Sequence, residues 1–151
     1  MIMIENDNYC LRDTKINEDI IIKGNYAHLK NIIINGKIMI YSENNKLEEI
    51  SFGDTEGIVI YPTGKNNKII NSHFNKLRYG ITVYGRDNEI KDCFFCENEY
   101  PIILLDDFNR VHNSYFLKNH HPIINKAHNR IFFNVFNQTK PIGKDSNKVV
   151  R

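Results

Sequence analysis

The chain has 151 residues, with 20 Lys or Arg against 18 Asp or Glu and a formal net charge of +2. That length closes one domain around a core, and charges spread along the chain leave no basic stripe for nucleic acid or basic patch for a membrane standing out. No run approaches the roughly 18 apolar residues a membrane span needs, and an odd count of three cysteines argues against a secreted disulfide framework.

In chain order, residues 1–24 read as an irregular N-terminal segment. Met1 to Asn8 carries acids where a signal peptide would have a positive region and a long apolar stretch, so the expected location is cytoplasmic or virion-associated. Ile16 and Ile20 to Ile22 then read as an early, loosely formed rung. From 25 to 146 a repeat takes over. Asn45, Asn67, Asn88, Asn109, Asn129 and Asn147 recur every 18 to 22 residues. Two places after the first five stand Leu47, Ile69, Ile90, Val111 and Ile131, and five further on Phe52, Phe74, Phe95, Phe116 and Phe136. A Gly or Pro followed by Ile comes next, at Ile58, Ile81, Ile102, Ile123 and Ile142. Upstream, Ala27, Leu29, Ile34, Ile38 and Ile40 keep the register more weakly, and residues 147–151 begin a last rung cut short.

A period near 21 is too short for a helical hairpin or a propeller blade and suits one turn of a β-solenoid. Strand alternation then sends the Phe and aliphatic columns inward, together with Ile50, Ser72, Cys93, Ser114 and Asn134. The asparagines are expected to form a ladder at a tight corner, tolerating the left-handed conformation and bonding from rung to rung. The expected fold is all-β: one parallel β-helix domain over 1–151, of six to seven rungs of about 21 residues each.

These columns resemble the coils of the pectate-lyase-like superfamily, which carry asparagine ladders and aromatic and aliphatic stacks. The resemblance implies a right-handed coil. It also implies a set of activities that includes polysaccharide lyases, glycosidase-like hydrolases, epimerases, viral or phage tailspikes, and coils without chemistry.

The sequence holds few residues for such chemistry. Asp106 and Asp107 are the adjacent acids of one rung, in a turn with no second acid stacked beside them, whereas glycoside hydrolysis wants two facing carboxylates. The outward column Glu49, Asn71, Asp92, Asn113 has two carboxylates, two rungs and roughly 10 Å apart, too far to share one calcium ion. His112, His120, His121 and His128 fall in one turn of the coil but at different points around it, so they read as a surface cluster, not a zinc or copper site. Cys93 and Cys96 form C-x-x-C on a strand, one facing in and one out, which suits neither redox nor zinc chemistry. Asp106, Asp107, His120 and His121 are the catalytic candidates, and no metal or cofactor is expected.

One outward set breaks the polar-outside rule: Val59, Tyr61, Thr82, Tyr84, Ile103, Leu105 and Ile124, with His73, Phe94 and Tyr115 as a smaller column elsewhere. Either a terminal segment folds over this face or it meets a partner. The absence of Trp and a small number of exposed aromatics weaken a sugar-stacking role. Two function classes remain: a non-catalytic interaction or assembly module, forming a homo-oligomer or binding a protein, and a carbohydrate-active or glycan-binding protein of the lyase or glycosidase kind. Neither nucleic acid nor membrane is expected as a partner.

Overall fold

The computed structural model describes residues 1–53 and 56–137, and these are strand, turn and bend without a helix. Parallel strands stack as a β-solenoid of about seven turns. One sheet has seven strands, Ile2–Ile4, Ile20–Ile22, Ile38–Ile40, Ile58–Ile60, Tyr79–Val83, Tyr100–Leu104 and Ile124–Asn125, each paired in parallel with the next. The other, of eleven strands, is kinked. Its early rungs are single seven-residue strands such as Lys46–Phe52, and its later rungs are two three-residue strands such as Lys68–Ile70 and His73–Asn75.

The kink has one cause. Asp13, Asn31, Glu49, Asn71, Asp92, Asn113 and Phe133 stack in one column, and each has φ between 52° and 55°. A single left-handed residue turns the strand, and the residue after it faces in: Ile50, Ser72, Cys93 and Ser114 are all buried. Glu49, Asn71, Asp92 and Asn113 are therefore kink residues and not outward positions of a flat strand.

The rung grows along the chain. Ile2, Ile20 and Ile38 are partners 18 residues apart, whereas Ile81 and Ile102 are 21 apart. The extra three residues lie between the core aromatic and the following isoleucine, and they add a third corner with left-handed Lys76, Glu97 and Lys118. Within residues 1–24, expected as an irregular rung or cap, strands Ile2–Ile4 and Cys10–Ile16 pair in register with the neighbouring rungs.

The core is a narrow column. Rings of Phe52, Phe74, Phe95, Phe116 and Phe136 stack at 5.0, 4.8, 4.8 and 4.8 Å. Ile58, Ile81, Ile102 and Ile123 form a second unbroken stack, all buried. Phe136 and Ile131 are half-buried against the core at its C-terminal end. At the Gly/Pro corner the backbone of the next rung comes close, and a Cβ on Gly80 would stand 2.3 Å from the Pro101 carbonyl oxygen.

Asn45, Asn67, Asn88 and Asn109 are buried, but the ladder differs from the expected one in its backbone. The left-handed residue is the one before each asparagine: Asn44, Asn66, Asp87 and Phe108. That turn aims the amide inward, where its Oδ1 accepts the N–H of the previous rung: Asn45 N–H to Asn67, Asn67 to Asn88, Asn88 to Asn109 and Asn109 to Asn129, at 2.8 to 3.0 Å. Side-chain amides bond each other directly from Asn45 to Asn67 and from Asn67 to Asn88. The Nδ2 groups of Asn88 and Asn109 donate instead to backbone carbonyls, and that of Asn129 to Asn125 Oδ1. Asn147 lies outside the described residues, as does the rung of 147–151.

Candidate functional surface

The outward residues of the seven-stranded sheet build the candidate site. On each three-residue strand the two outer side chains enter the core and the middle one faces out. In register, these middle residues are Met3, Ile21, Met39, Val59, Thr82, Ile103 and Ile124. The expected face thus gains Met3, Ile21 and Met39 at its N-terminal side. Their signal was present in the three-residue apolar runs Ile20–Ile22 and Ile38–Ile40, where alternation leaves the middle residue outside. Met3 is 43% exposed, Met39 is buried, and the others are half-buried.

Around Val59, Thr82 and Ile103 the face deepens into an open groove of about 460 Å³, with Tyr61, Tyr84 and Leu105 along one wall and Glu56 and Tyr79 at the other. Two outward ring stacks run along it. Tyr41, Tyr61 and Tyr84 stack at 4.2 and 6.3 Å, and Tyr79, Tyr100 and His121 at 5.4 and 4.2 Å. Burial, followed by the neighbouring Tyr41 hydroxyl, pushes the Tyr61 phenol above its usual range. Outward aromatics are thus more numerous than expected, because stacking one ring per rung shields each from water. His73, Phe94 and Tyr115 make a third outward stack, on the kinked sheet.

The catalytic candidates lie apart. Asp106 and Asp107 sit in the turn after strand Tyr100–Leu104, whereas His121 stacks on Tyr100 at the strand's start, about 16 Å away along an extended strand. Asp106 accepts the Asp107 N–H, and Arg86 lies 3.5 Å from Asp106 and 3.9 Å from Asp107. Hydrogen bonds from His128, the backbone N–H first, hold the Asp107 carboxyl below its ordinary range. These acids are therefore half-buried and ion-paired. His120 is exposed, with its N–H bonded to the Asn98 carbonyl.

The four histidines do not converge. His112 Nε2 lies 2.8 Å from Glu89 and its ring stacks on Phe132, while His128 stands in solvent beside Asp107. Cys93 points into the core, with its Sγ 3.3 Å from the Lys91 carbonyl and its thiol pushed up to about 12 by burial. Cys96 faces outward beside Glu97. Sequence reading missed a second ladder, Asn98 and Asn119, in the third corner. Asn98 Oδ1 accepts the Leu77 N–H, and Asn119 Oδ1 accepts that of Asn98. Its signal is an asparagine three residues after Phe95 and again after Phe116.

Comparison with curated proteins and with solved structures finds no match. A family model described as "Periplasmic copper-binding protein (NosD)" matches residues 3–149, nearly the whole chain. It is a family of right-handed β-helices, in keeping with the parallel solenoid and with the handedness that the resemblance to the pectate-lyase-like coils implies. The chain belongs to this NosD family.

Proposed function

We propose that this β-helix acts by surface contact and not by catalysis, through the outward face of its seven-stranded sheet. The observation that carries the reading is the column running from Met3 to Ile124 through the described rungs, apolar except at Thr82 and roughly 29 Å long at the spacing of a β-ladder. Water-facing strands are polar, and a stripe apolar in six of seven positions marks a contact surface. A second copy is the partner proposed, since a stripe along the coil axis is self-complementary about a two-fold axis. A stable contact would bury roughly 800 Å² per partner. Ile103→Lys places a charge in its centre and is expected to yield a folded monomer where the wild type sediments as a dimer. A wild type that stays monomeric at high concentration overturns the proposal.

The family description names copper, and the described residues do not fit a copper centre. No three of their His, Cys, Asp or Glu side chains come together to hold an ion. Cys93 is sealed in the core, and His112 is engaged by Glu89. No step of the proposed function runs through the metal.

A second reading, glycan binding of the pectate-lyase-like kind, is favoured by the two outward ring stacks beside the groove. Tyr84→Ala would then abolish oligosaccharide binding by calorimetry and leave solution mass unchanged. Uronan cleavage that disappears in an Asp106→Asn, Asp107→Asn double variant would make the protein an enzyme and overturn both readings.

A further inference from the structure

A different outward face carries charge. The straight half of the kinked sheet, between the asparagine ladder and the kink, has two outward positions per rung. In register, each of the seven rungs places one Lys or Arg there: Arg12, Lys30, Lys46, Lys68, Lys91, Arg110 and Arg130. Two acids share the face, Glu48 and Glu89, so the rest of the chain is left with thirteen cations against sixteen acids. The acids lie low. Glu48 is 16% and Glu89 10% exposed, while their partners Lys30, Lys46 and Arg110 are 40%, 46% and 46% exposed. Among the described residues Arg12, Lys68, Lys91 and Arg130 have no ion pair with an acid. The outermost layer of this face is therefore positive, and most of its charge is not consumed internally.

We propose that this face docks on a planar anionic surface, the headgroup layer of a bilayer containing acidic phospholipid. The shape of the row selects the partner. Seven cations occupy a straight band roughly 29 Å long and two outward columns wide, with Lys46, Lys68, Arg110 and Arg130 in one column and Arg12, Lys30 and Lys91 in the other. A duplex presents its phosphates on two winding strands, which such a band crosses only where a strand passes. The face also lacks a helix or ribbon to enter a groove. Single-stranded nucleic acid needs a succession of free aromatic faces for its bases, whereas here Phe94 and Tyr115 stack on each other, Phe132 stacks on His112, and exposed Phe133 is one ring at the end of the face, edge-on to Phe132. A plane of acidic headgroups meets all seven cations together. Asp13, Glu49 and Asp92, exposed on the kink, border the face and limit its positive charge to the band itself.

The test is co-sedimentation of the full chain with vesicles of phosphatidylcholine, alone or mixed with phosphatidylglycerol, at low and raised salt. Binding is expected on the mixed vesicles only and is expected to fall with salt. Each Lys near an acidic bilayer contributes about fivefold in affinity, so Lys68→Gln with Lys91→Gln is expected to weaken binding about 25-fold. Lys23→Gln with Lys126→Gln, off this face, is expected to change it little. Equal loss in both double variants overturns the assignment to this face. Binding to duplex DNA but not to vesicles overturns the bilayer in favour of nucleic acid, and binding to neither removes the proposal. Dissociation of a dimer by Ile103→Lys is a separate readout, so either surface can fail without the other.

Discussion

At the residue scale, left-handed backbone is the device that builds this coil. Among the described residues, sixteen non-glycine positions have positive φ, and they fall into three columns, one at each corner. Most are Asn, Asp, Glu or Lys, but Tyr26 has φ of 59° and is exposed. Asparagine adopts this conformation with less strain, so Tyr26→Asn is expected to raise stability by up to about 1 kcal/mol in chemical denaturation; a loss would mean that the ring is packed. The residue after each corner is equally constrained. Removing the Asn88 side chain strips Asn67 of the acceptor for its N–H and of one of the two acceptors for its Nδ2, which keeps the Ser42 carbonyl, inside the coil. Asn88→Ala is therefore expected to cost at least about 1–3 kcal/mol. Cys93, with its thiol pushed up to about 12 by burial, is expected to resist alkylation at neutral pH, whereas exposed Cys10 reacts. Mass spectrometry of the labelled protein reads this directly, and equal labelling of the two would mean that the coil opens.

At the scale of the strand, each element is held less by its own propensity than by the identical element above and below it. Phe95 lies between Phe74 and Phe116 at 4.8 Å on either side. Phe95→Ala would leave a cavity that neither neighbour can fill, at a cost of about 3–5 kcal/mol. The kinked sheet also carries a titratable support. Burial alone would raise the Glu89 carboxyl, but the His112 hydrogen bond and the charge of Arg110 outweigh it and hold it below its ordinary range. A carboxyl with a lowered folded pKa stabilises fully above its unfolded value, and that stability is lost as pH falls through the folded one. The acid limb of a stability–pH curve, below the ordinary carboxylate range of about pH 4.3, is therefore expected to flatten in Glu89→Gln; an unchanged limb would assign the loss to other carboxylates.

At the scale of the molecule, the coil converts sequence period into surface. Residues one period apart become neighbours along the axis, so a preference repeated once per rung becomes a stripe. The apolar stripe and the basic row arise in the same way from different strands. A solenoid rung contacts only its neighbours, so stability is expected to vary along the axis. Hydrogen exchange is expected to be slowest in the central rungs that contain Phe74 and Phe95.

The fold was legible because a repeat tests itself. The Asn, Phe and Ile columns keep one register, and no other architecture buries all three at once. The apolar face was partly legible, from Val59 to Ile124, since strict alternation identifies an outward residue wherever the inward ones are known. Its extension to Met3, Ile21 and Met39 was hidden because the first rungs are three residues shorter, and a period set on 21 loses them. The sequence by itself thus determined the coil, its inward columns and the candidate contact strand. Only the tertiary structure decided where the backbone turns left-handed, since Asn, Asp, Glu, Lys and aromatic residues all occupy those corners. The fold alone also brought together lysines and arginines some 20 residues apart, because charges dispersed along a chain become a row only when rungs stack at the spacing of a β-ladder.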